Sequence, residues 1–149
     1  MKDECRHVRL TRTIPVSMPS VKAFSLFTPS GERAWVEEWN PIFPASVSDE
    51  TEPGTVFETD HGGTNTIWVV ARCEPGVLIE YARITPGDRA GLVTVVCAPA
   101  GDNDTLVTVT YELTALSPEA NAALDDFAEG YADFMDHWRL AIQGAVDAK

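Results

Sequence analysis

The carboxyl-terminal part of the chain carries one continuous pattern of apolar and polar positions. At about 100° per residue, its large apolar side chains fall within a sector of roughly 100°, and most charged side chains fall outside it. This apolar face comprises Leu124, Phe127, Tyr131, Phe134, Met135, Trp138, Ile142 and Ala145. Ser117 and Pro118 are residue types favoured at an N-cap and at the first helical position. The pattern predicts one long helix over residues 117–148 that covers a wide apolar surface.

A second pattern, alternation in short runs, occupies most of the remaining chain. The runs are bounded by residues typical of turns, such as Pro75-Gly76 and Pro86-Gly87-Asp88. They predict strands at residues 5–14, 55–59, 65–73, 77–84, 89–97 and 105–113, with a weak strand at 46–49. Because the connections after residue 55 are short, neighbouring strands are expected to pair antiparallel. The prediction is a curved antiparallel sheet of about seven strands.

The segment between the first two strands has a helical pattern instead. Phe24 and Phe27 lie on one side of a short predicted helix. Residues 28–31 break this helix, and residues 32–38 can form a second short helix with Trp35 facing inward. Two short helices are therefore expected before the sheet resumes, and the fold class is α+β.

Composition narrows the class of protein. The 149 residues predict a single domain, 1–149, large enough to bury a core. The formal net charge of −12 argues against nucleic acid and against an anionic membrane surface as partners. The cysteines lack a C-x-x-C spacing, no signal-peptide pattern is present, and no run of about 18 apolar residues could span a membrane. We therefore expect a cytoplasmic protein, monomeric or homodimeric, without membrane insertion.

The alternation also predicts which side chains face the long helix. In the last strand the inward set is Val107, Val109, Tyr111 and Leu113. In strand 77–84 the favoured set is Val77, Ile79, Tyr81 and Arg83, because only its last member is charged. Strand 65–73 is apolar on both faces, so either Trp68 with Val70 or the set Ile67, Val69 and Ala71 could face inward.

The order of elements and several short segments resemble a known superfamily. The segments are residues 26–33 followed by Trp35 and Trp39-Asn40-Pro41, then residues 67–70, 79–87 and 109–117. They are similar to the START-like (SRPBCC) superfamily, which includes polyketide cyclase/dehydrase and lipid-transport members, and within it to a bacterial subgroup with no assigned activity. The resemblance implies the helix-grip fold, in which a curved antiparallel sheet wraps around a long C-terminal helix. It does not select a chemistry, since one fold hosts many functions.

A curved sheet and a straight helix cannot touch everywhere, so this fold predicts a cavity between them. The predicted ligand is a small hydrophobic molecule, a lipid or an aromatic compound of polyketide type. Tyr81, Tyr111, Tyr131, Phe134 and Trp138 are the candidate lining residues, and Trp39 with Phe43 could form its mouth. Ordinary core packing explains each aromatic residue equally well. Arg83 could bind a carboxylate or carbonyl of the ligand, or it could reach solvent or pair with Glu58 or Glu112.

The leading hypothesis is a non-catalytic binding or carrier protein. A cyclase/dehydrase-type enzyme is the alternative, with His61, Glu80 or Arg83 as the acid–base residue. A protein-interaction module without a cavity is the third. The three histidines show no metal-binding spacing, and no cofactor motif is present, so neither a metal nor a cofactor is predicted.

Overall fold

The computed structural model describes residues 4–148. Six strands form one antiparallel sheet in the order β1-β6-β5-β4-β3-β2. The strands are β1 (His7–Val16), β2 (Val56–His61), β3 (Thr64–Glu74), β4 (Leu78–Thr85), β5 (Arg89–Pro99) and β6 (Thr105–Ala115). The five later strands form the predicted meander, and β1 closes the far edge by pairing with β6. The sequence predicts a sheet of about seven strands, and the structure of residues 4–148 contains six.

The predicted weak strand at residues 46–49 is not formed. The side chain of Asp49 accepts a hydrogen bond from the backbone N–H of Thr51 at 2.9 Å, and this local turn competes with strand pairing. Near it, only an isolated bridge between Ile42 and Glu58 touches the outer edge of β2.

The first connection contains one helix and one helical turn. Helix α1 (Ser20–Ser25) follows β1, and a 3-10 turn (Gly31–Ala34) replaces the predicted second helix over residues 32–38. Glu38 has a φ of 57°, a left-handed conformation that is incompatible with continuing a right-handed helix.

The carboxyl-terminal helix is divided rather than continuous. A 3-10 turn (Pro118–Ala120) leads into α2 (Asn121–Glu129) and then α3 (Tyr131–Asp147). Ser117 caps the start as predicted, with its hydroxyl accepting from the Ala120 N–H at 3.3 Å. Gly130 separates the two helices with φ −91° and ψ 6°, because glycine has little intrinsic preference for the helix. The prediction of one helix over residues 117–148 was therefore wrong at this residue.

Most of the side chains that the alternation predicts to face inward are buried. The predicted set on β6 is buried, and on β4 Ile79 and Tyr81 are buried whereas Val77, outside the strand, is 49% exposed. On β3 the inward side chains are Thr66, Trp68 and Val70. A bulge between Val70 and Arg72 then shifts the register, so β3 does not keep one alternation throughout. The fold is the predicted helix grip, an open antiparallel sheet with a helix across one face.

Candidate functional site

The two ends of the sheet are covered differently. At one end, α1 and the last turns of α3 lie over the sheet, and the inward side chains there are almost completely buried. We call this end the closed half; its inward residues are Ile14, Val16, Ile79, Val95, Cys97 and Val107. At the other end, a cleft of about 470 Å³ separates the sheet from the Gly31–Ala34 turn and α3. We call this end the open half; its inward residues are Thr59, Thr66, Trp68, Arg83, Thr85 and Tyr111.

Aromatic side chains form the walls of the cleft. Its aromatic lining consists of Trp39, Trp68, Tyr111, Phe134 and Trp138. Trp39 is fixed by a hydrogen bond of 2.6 Å from its indole N–H to the carbonyl of Pro29, and it lies edge-on to Trp68 at 5.6 Å. Trp138 of α3 lies edge-on to Tyr111 of β6, with ring centres 6.2 Å apart. These contacts hold the rings in place, so the walls are rigid and apolar.

The sheet side of the cleft carries a small polar cluster. The hydroxyls of Thr66 and Thr85 are 2.7 Å apart, and Nη2 of Arg83 donates to the Thr85 hydroxyl at 2.7 Å. The guanidinium carbon of Arg83 lies 5.4 Å from the centre of the Trp68 ring, within the range of a cation–π contact. Burial lowers the pKa of Arg83. Even so, a guanidinium retains its charge at neutral pH.

The Nε atom of Arg83 is a buried side-chain donor without a hydrogen-bond partner. Among residues 4–148 it is the only buried side-chain nitrogen or oxygen with no hydrogen-bond partner. A buried donor without an acceptor is costly, and native structures contain few of them. Such a group is more informative about function than the aromatic residues, which packing alone explains.

Glu32 is the acidic group of the cleft that sequence reasoning missed. It lies in the Gly31–Ala34 turn and lines the cleft. Although the residue as a whole is half-buried, burial of its carboxyl raises the pKa well above its usual range, which favours the neutral acid. One signal was available: Glu32 precedes the inward-facing Trp35 by three residues, a spacing that places two side chains on the same face of a helical turn.

The three tyrosines have different roles. The hydroxyl of Tyr81 donates to the carbonyl of Phe27 at 2.6 Å, and that of Tyr131 donates to the carbonyl of Val109 at 2.7 Å. Neither residue lines the cleft. Tyr111 lines it, and among residues 4–148 no hydrogen bond engages its hydroxyl. Burial raises the pKa of Tyr111 above its usual value, so the hydroxyl stays protonated.

Five of the eight predicted ligand-binding residues line the cleft. These are Trp39, Arg83, Tyr111, Phe134 and Trp138. The other three are Phe43, Tyr81 and Tyr131, and they lie outside the lining. Phe43 packs on Phe57 with ring centres 5.6 Å apart. Whether any of the eight contacts a ligand stays a prediction.

The three candidate acid–base residues lie in different places relative to the cleft. His61 lies at the rim of the cleft beside Asp60, and Arg83 lies within the cleft. Glu80 lies on the opposite face of the sheet, where it accepts a hydrogen bond from Thr94 at 2.7 Å. Alternation along β4 puts Glu80 and Arg83 on opposite faces, so Glu80 cannot act in the cleft.

Residues 4–148 contain neither a cluster of metal-ligand side chains nor a membrane-spanning helix. No cluster of three or more histidine, cysteine or acidic side chains in this part of the chain is arranged to hold a metal ion. No helix between these residues is long and apolar enough to cross a membrane.

An open antiparallel sheet gripping a carboxyl-terminal helix is the helix-grip fold of START-like proteins. The chain belongs to the family described as "Polyketide cyclase / dehydrase and lipid transport", whose sequence model matches residues 7–138. A search of curated proteins finds no match.

Solved structures share the fold at low sequence identity. A START superfamily protein from Mycobacterium smegmatis is 16% identical with a TM-score of 0.67, over 96% of this chain and 99% of that one. An uncharacterised protein from Rhizobium leguminosarum is 17% identical with a TM-score of 0.66, over 93% and 96%. Norcoclaurine synthase from Thalictrum flavum is 9% identical with a TM-score of 0.64, over 98% and 97%. At such identities the likeness shows the fold alone.

Proposed function

We propose that this protein binds a small, largely apolar molecule in the cleft between the open half of the sheet and α3. The observation that carries the proposal is the combination of aromatic walls with one small polar cluster. Ligand sites typically combine apolar walls with a few convergent polar groups that fix the orientation of the ligand.

The walls favour an aromatic ligand over a long acyl chain. Flat rings such as Trp39, Trp68 and Trp138 offer both edges and faces to a flat partner. A crystal structure of norcoclaurine synthase contains dopamine and hydroxybenzaldehyde, two small aromatic molecules, on the same fold. The family description, which includes lipid transport, agrees with an apolar ligand in general.

Native mass spectrometry of the purified protein, before and after denaturation, is the first test. A co-purifying small molecule would identify the ligand class directly. In parallel, a panel of fatty acids and of aromatic polyketide-like compounds should be screened for an increase in melting temperature, since a ligand of the folded state stabilises it. If neither approach finds a ligand, the proposal is contradicted and an interaction module for a partner protein becomes the better hypothesis.

A pair of phenylalanines supplies the matched control. Phe134 lines the cleft, whereas Phe127, which is also half-buried and on the preceding helix, does not. The variant Phe134→Ala should weaken binding of any panel ligand roughly tenfold or more, as expected for loss of a buried aromatic contact. Phe127→Ala should leave binding within about threefold while costing comparable stability. Equal effects of the two variants on binding would place the ligand elsewhere.

An enzyme of the cyclase/dehydrase type is the second candidate. The observation that favours it is Glu32, a carboxyl whose pKa is raised by burial inside the cleft, where a general acid would need it. Incubating the protein with the ligands that bind, and following their masses, would reveal loss of water or ring closure. Turnover should then disappear in Glu32→Gln while ligand binding is retained. Binding without any change in the ligand would support the carrier instead.

A further inference from the structure

Arg83 places a positive charge in the open half that no acidic side chain neutralises. Within residues 4–148 none of the ion pairs includes Arg83, and its one hydrogen bond goes to the neutral hydroxyl of Thr85. Its contact with the Trp68 ring offsets only part of the cost of removing a charge from water. Arg83 is half-buried, and its Nε is fully buried. A partly desolvated charge without a counter-ion is costly, and an opposite charge supplied by a bound molecule would offset that cost.

The neighbouring carboxyls do not fill that role. Asp88 is engaged by Arg89, with its carboxylate 3.0 Å from Arg89 Nε. Glu32 is the other carboxyl inside the cleft, and burial favours its neutral form. Glu37, Glu38 and Asp60 line the rim and are exposed to solvent, and within residues 4–148 none of them forms an ion pair with Arg83.

We infer that the ligand of the cleft is an aromatic monoanion whose carboxylate, or chemically similar oxyanion, binds the guanidinium of Arg83. This inference rests on the proposed function and specifies the chemical class of the ligand. A carboxylate supplies both the missing counter-charge and the acceptor that Nε lacks. The hydroxyl of Tyr111 and the neutral carboxyl of Glu32 are further donors that can face the same anionic end.

The acidic rim favours a ligand with a single negative charge over a polyanion. The acidic side chains of Glu37, Glu38 and Asp60 surround the entrance, and the chain has a formal net charge of −12. A polyanion such as a phosphate ester would meet this repulsion along its whole path into the cleft. A flat apolar body with one carboxylate meets less of it and gains the aromatic contacts.

Isothermal titration calorimetry with 2-naphthoate and 2-naphthamide tests the inference, because the two probes share shape and differ in charge. At neutral pH the protein should bind 2-naphthoate roughly 10-fold to 100-fold more tightly than 2-naphthamide, the range expected for a charge-assisted hydrogen bond. Arg83→Gln should abolish this preference and retain weak binding of both probes. Arg83→Lys should restore part of it, since the charge returns without the planar fork.

Arg72→Gln is the matched control, because it changes the net charge equally from the opposite face of the sheet. It should retain the full preference for 2-naphthoate. Equal affinity of the unmodified protein for both probes, or a preference that survives Arg83→Gln, would overturn the inference while the proposed function stands. If neither probe binds although the mass spectrometry or the panel finds a ligand, the inference is overturned and the proposed function stands; if no ligand is found by any of these methods, both are contradicted.

Discussion

The closed and the open halves share strands β4 and β6, and the two ends of each shared strand carry different side chains. β4 contributes Ile79 to the closed half and Arg83 to the open half, only four residues apart. β6 contributes Val107 to the first and Tyr111 to the second. The covering elements match this division, since α1 contacts β5 over the closed half and the cleft separates the sheet from the Gly31–Ala34 turn over the open half.

This difference separates a half that is packed for stability from a half that carries the proposed site. The closed half buries aliphatic side chains at 0–3% exposure, where every contact favours the folded state. The open half contains a hydrogen-bonded polar cluster and the unsatisfied Nε of Arg83, which lowers stability and would be satisfied by the proposed ligand. Polar side chains on the inward face, at the same end of neighbouring strands, therefore indicate the position of the cleft better than the aromatic side chains do.

The largest effect is expected from truncation in the closed half. Ile142 of α3 is 1% exposed, and Ile142→Ala should lower the free energy of unfolding by about 2–5 kcal/mol, through lost burial and the cavity left behind. Urea denaturation followed by circular dichroism measures it. Leu140, two residues earlier on the same helix and 56% exposed, supplies the control: Leu140→Ala should change stability by less than about 0.5 kcal/mol. Similar losses at both positions would mean that α3 is not seated on the sheet as described.

A smaller effect should separate two tyrosines that the sequence treats alike. Tyr81→Phe leaves the buried carbonyl of Phe27 without its donor and should cost about 1–3 kcal/mol. Tyr111→Phe removes a hydroxyl that lines the cleft and bonds to no residue among 4–148, so it should cost less than about 0.5 kcal/mol. Urea denaturation of both variants is the measurement. A loss at Tyr111 as large as that at Tyr81 would show that the open half is held together by this hydroxyl rather than left open for a ligand.

Most of the fold was predictable from local patterns. Alternation and turn residues located the strands of the meander, and period 2 selected the inward faces of β4 and β6. The errors occurred where a local conformation outcompeted the pattern: the Asp49 turn prevented a strand, and Gly130 divided a helix whose apolar face is continuous in sequence.

The residues that line the cleft were less predictable than the strands, because the segments between β1 and β2 cover some inward side chains and leave others open. Periodicity assigns Tyr81 and Tyr111 to one inward face, but it cannot show that the backbone of Phe27 reaches the first hydroxyl and not the second. Glu32 is a charged residue next to Arg33, and its spacing from Trp35 is the one sign in the sequence of an inward position. Its burial follows from the position of the Gly31–Ala34 turn over the sheet, which is a tertiary property.

The smallest predicted effect is a change with pH in the difference in unfolding free energy between Glu32→Gln and the unmodified protein. Because burial raises the pKa of Glu32 above its usual 4.5, the folded state holds a proton there that the unfolded state releases as the pH rises. The contribution of Glu32 to stability is therefore greatest below pH 4.5 and decreases as the pH rises toward the folded-state pKa. Glu32→Gln removes this dependence, so its stability relative to the unmodified protein should increase with pH over that window.

Urea denaturation of both proteins across a series of pH values measures the difference between their unfolding free energies. The other titratable groups are present in both proteins, so their contributions to this difference cancel to first order. Glu37→Gln is the control, because this residue lies at the exposed rim and its substitution should leave the slope unchanged. A Glu32→Gln difference that is constant with pH would show that the pKa of Glu32 is not raised in the folded state. Glu32 would then be ionised at neutral pH, and a difference that decreases as the pH rises would show that a positive partner such as Arg83 lowers its pKa.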